Sequence, residues 1–208
     1  MNNVIQTYRM MIFDEYNKKI DTDLIEKYEQ DLANKYISPN DVVLELGARY
    51  GSVSCTINNK LYNKKNQLVV EPDSRVWSSL EYNREINKCE FSILKGFISK
   101  KKLDLVNLDV CMNGYGSTST ENINTRINSY SLEEVKKIYG LNFNVLVADC
   151  EGFLEEFLDE NPEIYDTIRL IIFEADYTEK CNYDKINNNL RNRKFVNILN
   201  GHQNVWMR

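Results

Sequence analysis

The sequence predicts an α/β domain built on a mostly parallel β-sheet with helices on both faces. Short apolar runs alternate along the chain with longer segments that carry apolar residues at helical spacing. This alternation is typical of parallel sheets with right-handed crossovers. A chain of 208 residues is long enough to bury such a sheet within one domain. The apolar runs, each interpreted as a buried strand, are residues 42–46, 67–71, 91–94, 145–149 and 170–174.

The first half of the chain is predicted to supply three of these strands and the helices between them. Residues 22–37 are predicted to form a helix, with Asp23 and Glu26 as its capping pair. Further helices are expected after the first and second strands, because apolar residues recur there at helical spacing. We interpret residues 1–40 as an N-terminal helical segment on the substrate side, and residues 41–208 as the main domain.

The second half continues the pattern after a polar interruption. Leu103–Val110 is predicted to be a strand, whereas Asn113–Asn128 is rich in Ser, Thr and Asn and is predicted to be a loop. Loops of this length in compact domains are often lids or binding segments. Ser131 and Glu134 form a capping box for a helix to about Tyr139. The remaining predictions are a helix after residue 152, a helix over residues 183–193, and a closing antiparallel pair of strands, 195–199 and 204–207.

The composition excludes several classes of protein. The five cysteines are scattered without a C-x-x-C pair, which argues against a zinc cluster and a disulfide framework. A net charge of −5 disfavours nucleic acid as a partner. No apolar run approaches the roughly 18 residues of a membrane span, and the first residues do not resemble a signal peptide. We therefore expect a cytoplasmic protein that does not enter a membrane.

Acidic residues collect where the predicted strands end. Glu71, Asp149 and Glu174 each close a strand, and Glu45 lies two residues before Gly47 at the end of the first strand. In an open parallel sheet, ligands bind at the carboxyl ends of the strands. These carboxylates are therefore expected to converge on one binding edge.

The loop after the first strand, residues 45–51, indicates a nucleoside ligand without a diphosphate. Its sequence ELGARYG matches neither the dinucleotide fingerprint G-x-G-x-x-G nor a phosphate-binding loop that ends in Gly-Lys-Ser/Thr. S-adenosylmethionine carries no phosphate, and an acidic residue after the first strand can orient its ammonium end. Glu71 lies where a ribose-binding acid is expected and can accept both ribose hydroxyls. A Rossmann-like domain for another nucleoside is the alternative.

Four short motifs run along the predicted sheet, over residues 42 to about 176. They are Val43–Gly51, Val70–Asp73, Ser131–Glu133 and Val147–Gly152, the last containing Asp-x-Glu-Gly. Together they resemble the FkbM-type methyltransferases, a branch of the class I S-adenosylmethionine-dependent methyltransferases. The resemblance implies a Rossmann-like, mostly parallel seven-stranded sheet with S-adenosyl-L-methionine as donor. It also implies O-methylation of a small-molecule or sugar hydroxyl.

The same resemblance implies a set of donor-binding residues. Gly96 and Phe97 would lie near the adenine. Arg49 departs from the family, which usually has Asn there, and its side chain would either reach the donor carboxylate or block the pocket. The full donor-binding set is Glu45, Gly47, Ala48, Gly51, Glu71, Pro72, Gly96, Phe97 and Asp149.

Candidate catalytic residues follow from the chemistry of transfer to an alcohol, which must lose its proton near the transition state. Asp149 and Glu151 are candidates for the base or for orienting the acceptor, against the alternatives of a donor ligand and a helix cap. His202, the sole histidine, is a third candidate. A bound Mg²⁺ is a variant in which Asp149, Glu174 and Asp176 supply oxygen ligands and the metal lowers the pKa of the hydroxyl.

Two rival functions remain open at this point. One is a binding module or partner subunit that keeps the fold without catalysis, which measurable donor turnover would exclude. The other is an RNA methyltransferase, although the predicted strands 145–149 and 170–174 carry no clear lysine of a Lys-Asp-Lys-Glu tetrad. The acceptor pocket is expected to be shaped by Asn113–Asn128 and the N-terminal helix.

Overall fold

A computed structural model describes residues 10–107 and 116–208 of the chain. Its helices are α1 (Lys27–Tyr36), α2 (Ser52–Lys60), α3 (Trp77–Ile86), α4 (Leu132–Tyr139), α5 (Leu154–Glu160), α6 (Ile164–Thr167) and α7 (Tyr183–Asn192). Its strands are β1 (Ile12–Phe13), β2 (Lys19–Ile20), β3 (Val43–Leu46), β4 (Gln67–Glu71), β5 (Ser92–Lys95), β6 (Phe97–Ile98), β7 (Leu103–Asn107), β8 (Ser117–Glu121), β9 (Ser129–Tyr130), β10 (Val145–Ala148), β11 (Leu170–Glu174), β12 (Val196–Leu199) and β13 (Gln203–Met207).

Seven strands form one central sheet in the order β12-β13-β11-β10-β3-β4-β5. The strands β11, β10, β3, β4 and β5 run parallel to one another. β13 lies antiparallel to β11, and β12 lies antiparallel to β13. This arrangement confirms the predicted α/β fold, with a mostly parallel seven-stranded sheet and an antiparallel C-terminal hairpin.

The strand order creates a crevice between β3 and β10. From β3 the chain crosses to β4 on one side, whereas from β10 it crosses to β11 on the other side. The two connections therefore leave these neighbouring strands in opposite directions. Such a switch point is where open α/β sheets bind their ligands.

Helices cover both faces of the sheet, as predicted. On one face, Leu44 of β3 belongs to a buried cluster that includes Phe157 of α5. On the other face, Val43 lies in a cluster with Leu32 of α1 and Ile57 of α2. Neighbouring residues of β3 thus face opposite layers, as the alternation of side chains along a strand requires.

The N-terminal helix is shorter than predicted. Residues 22–26 are not helical, and Glu26 before α1 has a left-handed backbone with φ of 51°. The predicted capping by Asp23 and Glu26 is wrong, because the carboxylate of Glu26 accepts a hydrogen bond from the Ser52 hydroxyl of α2 instead. This contact turns Glu26 toward the sheet and away from its own helix.

A short hairpin of β1 and β2 precedes α1, which the sequence analysis did not predict. Asn83 of α3 holds this hairpin, accepting from the backbone N–H of Phe13 at 2.9 Å and donating to its carbonyl at 2.8 Å. Side-chain amides therefore replace the neighbouring strands that usually support a hairpin. The N-terminal segment is helical over α1 alone among its described residues.

The polar segment Asn113–Asn128 contains a strand where a loop was predicted. β8 pairs antiparallel with β7, with Leu105 opposite Ser119. Thr118 is fully buried, and threonine favours strands because its Cβ is branched. Main-chain pairing needs no apolar side chain, so the polar composition concealed this strand. Residues 108–115, which include the end of the predicted strand Leu103–Val110, lie outside the described residues.

The other predicted elements lie where the sequence placed them, within a few residues at their ends. Ser131 accepts from the backbone N–H of Glu134 and donates its own N–H to the Glu134 carboxylate, which confirms the capping box of α4. β12 lies at the edge of the sheet, and its register with β13 shifts between Asn197 and Leu199. Over residues 10–107 and 116–208, no helix has the length and apolar character to cross a membrane.

Candidate active site

The ends of β3, β4 and β10 surround a cavity with about 780 Å³ of empty space, including its open mouth. Small-molecule sites typically enclose roughly 300 to 1,000 Å³. The loops after the strands form its walls, and Leu105, Ser117 and Ser119 of the β7–β8 hairpin also line it. We call this the main cavity, and it lies at the switch point between β3 and β10.

Gly47 allows the ends of β3 and β10 to approach each other. Its φ is 82°, and a Cβ added there would lie 1.7 Å from the carbonyl oxygen of Asp149. No side chain fits in that space, so the position requires glycine for both its conformation and its surroundings. Gly47 itself lines the main cavity, where its bare backbone leaves room for a ligand.

Glu71 ties β4 to the loop that follows β3. Its Oε2 accepts from the backbone N–H groups of Ala48 at 3.2 Å and Arg49 at 2.8 Å, and its Oε1 accepts from Asp73 at 2.8 Å. Burial raises the pKa of Glu71 to about 6. A carboxylate offers about four acceptor positions, so Glu71 keeps room for one further hydrogen bond, where the sequence analysis anticipated two ribose hydroxyls.

Arg49 lies against the wall of the main cavity, with its guanidinium tied to its neighbours. Its φ of 47° is left-handed, which is uncommon for a residue with a long side chain. The guanidinium lies 3.2 Å from Asp73, donates to the Tyr50 hydroxyl at 3.0 Å and stacks over the Tyr50 ring. Arg75 also binds Asp73, and these hydrogen bonds lower the pKa of Asp73 although burial opposes them.

Asp149 and Glu151 both line the main cavity from the loop after β10. Across residues 10–107 and 116–208, no group donates a hydrogen bond to the Asp149 carboxylate, and burial together with nearby Glu174 and Glu26 raises its pKa well above the ordinary value. Glu151 has a left-handed φ of 52° and accepts from the backbone N–H of Gly116 at 3.0 Å. Burial raises the pKa of Glu151 to about 8, which is near the operating range of a general base.

The structure brings together a set of three carboxylates that differs by one residue from the predicted Mg²⁺ ligands. Oxygen atoms of Asp149, Glu151 and Asp176 lie within 4.8 Å of one another. Glu174 instead pairs with His202 at 2.6 Å and accepts from Gln203 at 2.7 Å. Glu151 therefore replaces Glu174 among the hard oxygen ligands that could hold a divalent cation here.

His202 lies apart from the other candidate catalytic residues. Its side chain is 66% exposed and pairs with Glu174, and it does not line the main cavity. Glu45 is also outside this cavity, because it extends from the opposite face of β3. It accepts from Ser54 at 2.8 Å and Gln67 at 2.9 Å, and burial raises its pKa to about 8.

A smaller second cavity adjoins the main cavity behind Gly47. Of the predicted donor-binding residues, Gly47, Glu71, Pro72, Phe97 and Asp149 line the main cavity. Glu45, Gly47, Ala48 and Asp149 line the second cavity.

Two of the glycines predicted to contact the donor, Gly51 and Gly96, line neither cavity. Gly51 precedes α2, where a Cβ would lie 2.7 Å from a methyl group of Leu80. Gly96 abuts the carbonyl oxygen of Asn128, at 2.3 Å from an added Cβ. Their roles as donor contacts stay predictions.

Sequence reasoning expected Asn113–Asn128 and the N-terminal helix to shape the acceptor pocket, but it did not single out Glu26, Leu105, Ser117 or Ser119 among the cavity lining. Glu26 was interpreted as a helix cap, and its contact with Ser52 spans 26 positions of sequence. Ser117–Glu121 carries no alternation of apolar and polar residues, and the β-branched Thr118 and Thr120 are its only local indication of a strand.

Comparison with known proteins gives matches of structure alone. No protein-family model matches the sequence, and no curated protein matches it. A precorrin-6y C5,15-methyltransferase from Geobacter metallireducens superposes with a TM-score of 0.56 at 12% identity, over 97% of this chain and 100% of that chain. The chain shares the Rossmann-like fold of that structure.

Two further structures with this Rossmann-like fold differ in their acceptors. A proposed O-methyltransferase from Klebsiella pneumoniae matches with a TM-score of 0.50 at 11% identity, over 89% of this chain and 82% of that chain. A proposed tRNA (m1A22) methyltransferase from Streptococcus pneumoniae matches with a TM-score of 0.51 at 11% identity, over 85% and 68%. The shared fold therefore does not decide the chemistry of this chain, which has to be argued from its own site.

Proposed function

We propose that this protein is an S-adenosylmethionine-dependent methyltransferase of the FkbM type that methylates a hydroxyl group of a small, sugar-like acceptor. The observation that carries the proposal is one cavity, at the switch point of the sheet, that brings together Glu71, Phe97, Asp149 and Glu151. A nucleoside-binding half and a pair of carboxylates with raised pKa values thus share one space.

The donor half is formed by β4 and its neighbours. Phe97 and Ile98 offer an apolar wall for the adenine, and the remaining acceptor position of Glu71 suits a ribose hydroxyl. Gly47 lets the chain of the donor pass close to the backbone. Within the described residues these features fit an adenosine with a sulfur-linked amino-acid arm better than one with a diphosphate, because the N–H groups of Ala48 and Arg49 are already bound to Glu71 and the loop offers few free amides.

The acceptor half is polar. Ser117 and Ser119 line the main cavity from the β7–β8 hairpin. Ser119 and Glu151 also line an outer trough with Lys101 and Lys180, so the cavity continues into a surface that can donate and accept hydrogen bonds. A polyhydroxylated acceptor suits this lining, and a purely apolar one does not.

The residues of the site then have separate tasks. The bound donor supplies a methyl group on a sulfonium, so that one displacement forms the O–C bond as the C–S bond breaks. Glu151 takes the proton of the acceptor hydroxyl, and Asp149 balances positive charge at the donor. The β7–β8 hairpin holds the acceptor in line and limits the access of water.

Calorimetric titration with S-adenosylhomocysteine tests the donor site. The wild type is expected to bind at micromolar concentration, and Glu71→Ala is expected to bind at least about tenfold more weakly, because a buried charged acceptor is lost. Glu71→Gln keeps the size of the side chain and controls for a loosened loop. Glu81→Ala is the matched control, since Glu81 is exposed on α3 and pairs with Lys95.

The rival functions predict different results when the same purified protein is tested for ligand binding, turnover and affinity for RNA. A folded wild type that does not bind S-adenosylhomocysteine contradicts the proposal. Donor binding without turnover on a panel of sugars and alcohols favours a binding module. Affinity for RNA that falls steeply with salt favours an RNA methyltransferase.

A further inference from the structure

The main cavity and the second cavity meet at three residues. Glu26, Gly47 and Asp149 line both of them. Gly47 has no side chain, so two carboxylates from distant parts of the sequence face the junction. One comes from the segment before α1 and the other from the loop after β10.

We propose that Glu26 is a donor-binding residue, whose carboxylate receives the α-ammonium group of the donor at this junction. The inference rests on the proposed function and names a contact for the amino-acid end of that donor. A donor whose ribose lies at Glu71 and whose chain passes Gly47 would bring its ammonium group to the junction.

The other carboxylates of the second cavity are already engaged. Glu45 accepts from Ser54 and Gln67, and Glu29 accepts from Gln203. Glu26 accepts one hydrogen bond, from Ser52, and forms no ion pair with any residue of 10–107 or 116–208. An ammonium group brings three N–H donors, and Glu26 and Asp149 together leave enough acceptor positions open for all three.

The backbone and the charge of Glu26 both fit a binding role. Its left-handed φ of 51° is unfavourable for a residue with a side chain, and such strain persists where the surroundings impose it, often at functional sites. Burial raises the pKa of Glu26 to about 7, and neighbouring Glu29 and Glu174 add to the effect. A cationic ligand would stabilise the ionised form that the protein alone disfavours.

The test compares two ligands that differ in the amino-acid end. S-adenosylhomocysteine carries the ammonium group, whereas 5′-methylthioadenosine keeps the adenosine and the sulfur and lacks the amino-acid end. Both are titrated by calorimetry at pH 8, where Glu26 is ionised, into the wild type, Glu26→Gln and Glu29→Gln. The last variant is the matched control, because Glu29 loses the same charge three residues away and lines the second cavity alone.

We expect Glu26→Gln to weaken S-adenosylhomocysteine about 10- to 100-fold and to change the affinity for 5′-methylthioadenosine less than about twofold. Glu29→Gln is expected to keep the affinity for both ligands within about threefold. Equal affinities of the wild type and Glu26→Gln for S-adenosylhomocysteine would overturn the inference, as would an equal loss for both ligands. A wild type that binds neither ligand would overturn the proposed function itself, so the two failures are distinguishable.

Discussion

The two sides of the main cavity hold carboxylates in opposite surroundings. On the β4 side, Glu71 accepts three backbone N–H groups, and Asp73 lies between Arg49 and Arg75. On the β10 side, Asp149 accepts no hydrogen bond from the described residues, 10–107 and 116–208, and has other carboxylates as neighbours. Carboxylates that accept hydrogen bonds from the protein thus stabilise the scaffold. Carboxylates that lack such hydrogen-bond partners remain available to bind a ligand or to react.

The largest effect is expected where the two sides meet. Gly47→Ala would place a methyl group 1.7 Å from the carbonyl oxygen of Asp149, which forces β3 and β10 apart. We expect it to lower the free energy of unfolding by about 4 kcal/mol or more, measured by urea denaturation. Gly140→Ala is the control, because Gly140 has a φ of 66° with open space around it and is expected to cost about 1 kcal/mol. Equal costs would contradict the proposed close approach.

The β10 side is also expected to make stability fall as the pH rises. Burial raises the pKa of Glu151 to about 8 and of Glu174 to about 7, from the ordinary glutamate value of 4.5. Between about pH 4.5 and pH 8 the unfolded chain has released these protons while the folded protein retains them, so unfolding becomes easier with rising pH.

We expect the free energy of unfolding to drop by about 2 kcal/mol from pH 5 to pH 8, in urea titrations at constant ionic strength. On the β4 side, Glu71 with its pKa of about 6 adds to this trend, and Asp73 with its lowered pKa opposes it only at lower pH, where it becomes protonated. Stability that is constant or rises from pH 5 to pH 8 would contradict this expectation. It would show that the carboxylates of the β10 side accept hydrogen bonds in solution that stabilise their ionised forms.

The smallest expected effect tests the difference between the β4 side and the β10 side most directly, because the same chemical change is made on each side. At pH 8, Asp149→Asn should raise the free energy of unfolding by about 1 kcal/mol, since it replaces a buried carboxyl group that has other carboxylates as neighbours and accepts no hydrogen bond from the described residues. Asp73→Asn should lower it by about 1 kcal/mol, since Arg49 and Arg75 lose their shared partner. Thermal or urea unfolding of both variants gives the two signs. Shifts in the same direction would remove the distinction between the sides.

The sheet could be predicted because its strands are apolar on both faces. The runs around Leu44, Leu68 and Leu146 are buried between two layers of helices. Each run is therefore apolar at nearly every position, which makes these strands recognisable in the sequence. The acidic residues that close β4 and β11 follow from the same runs, since parallel strands end at one edge. Local chemistry was also sufficient for the capping box of Ser131 and Glu134.

The rest of the site depends on contacts that no local pattern shows. Glu26 is turned by Ser52, and the β1–β2 hairpin is held by Asn83, each through a side chain far along the chain. The position of Glu45 was within reach of the sequence, because a residue between Leu44 and Leu46 must face the opposite side of the strand. Because Glu45 lies two residues before Gly47, it was expected at the ligand-binding edge of the sheet. The alternation of side chains along β3 instead directs it to the face opposite the main cavity.

The register shift between β12 and β13 has a consequence for the behaviour of many copies in one solution. β12 ends the sheet and exposes Val196 and Ile198, which would make a regular strand an adhesive template for another chain. The shift at Asn197 interrupts the row of free backbone groups and bends the strand. Such an irregular edge is a poorer template for pairing with a second copy of the chain than a regular strand would be.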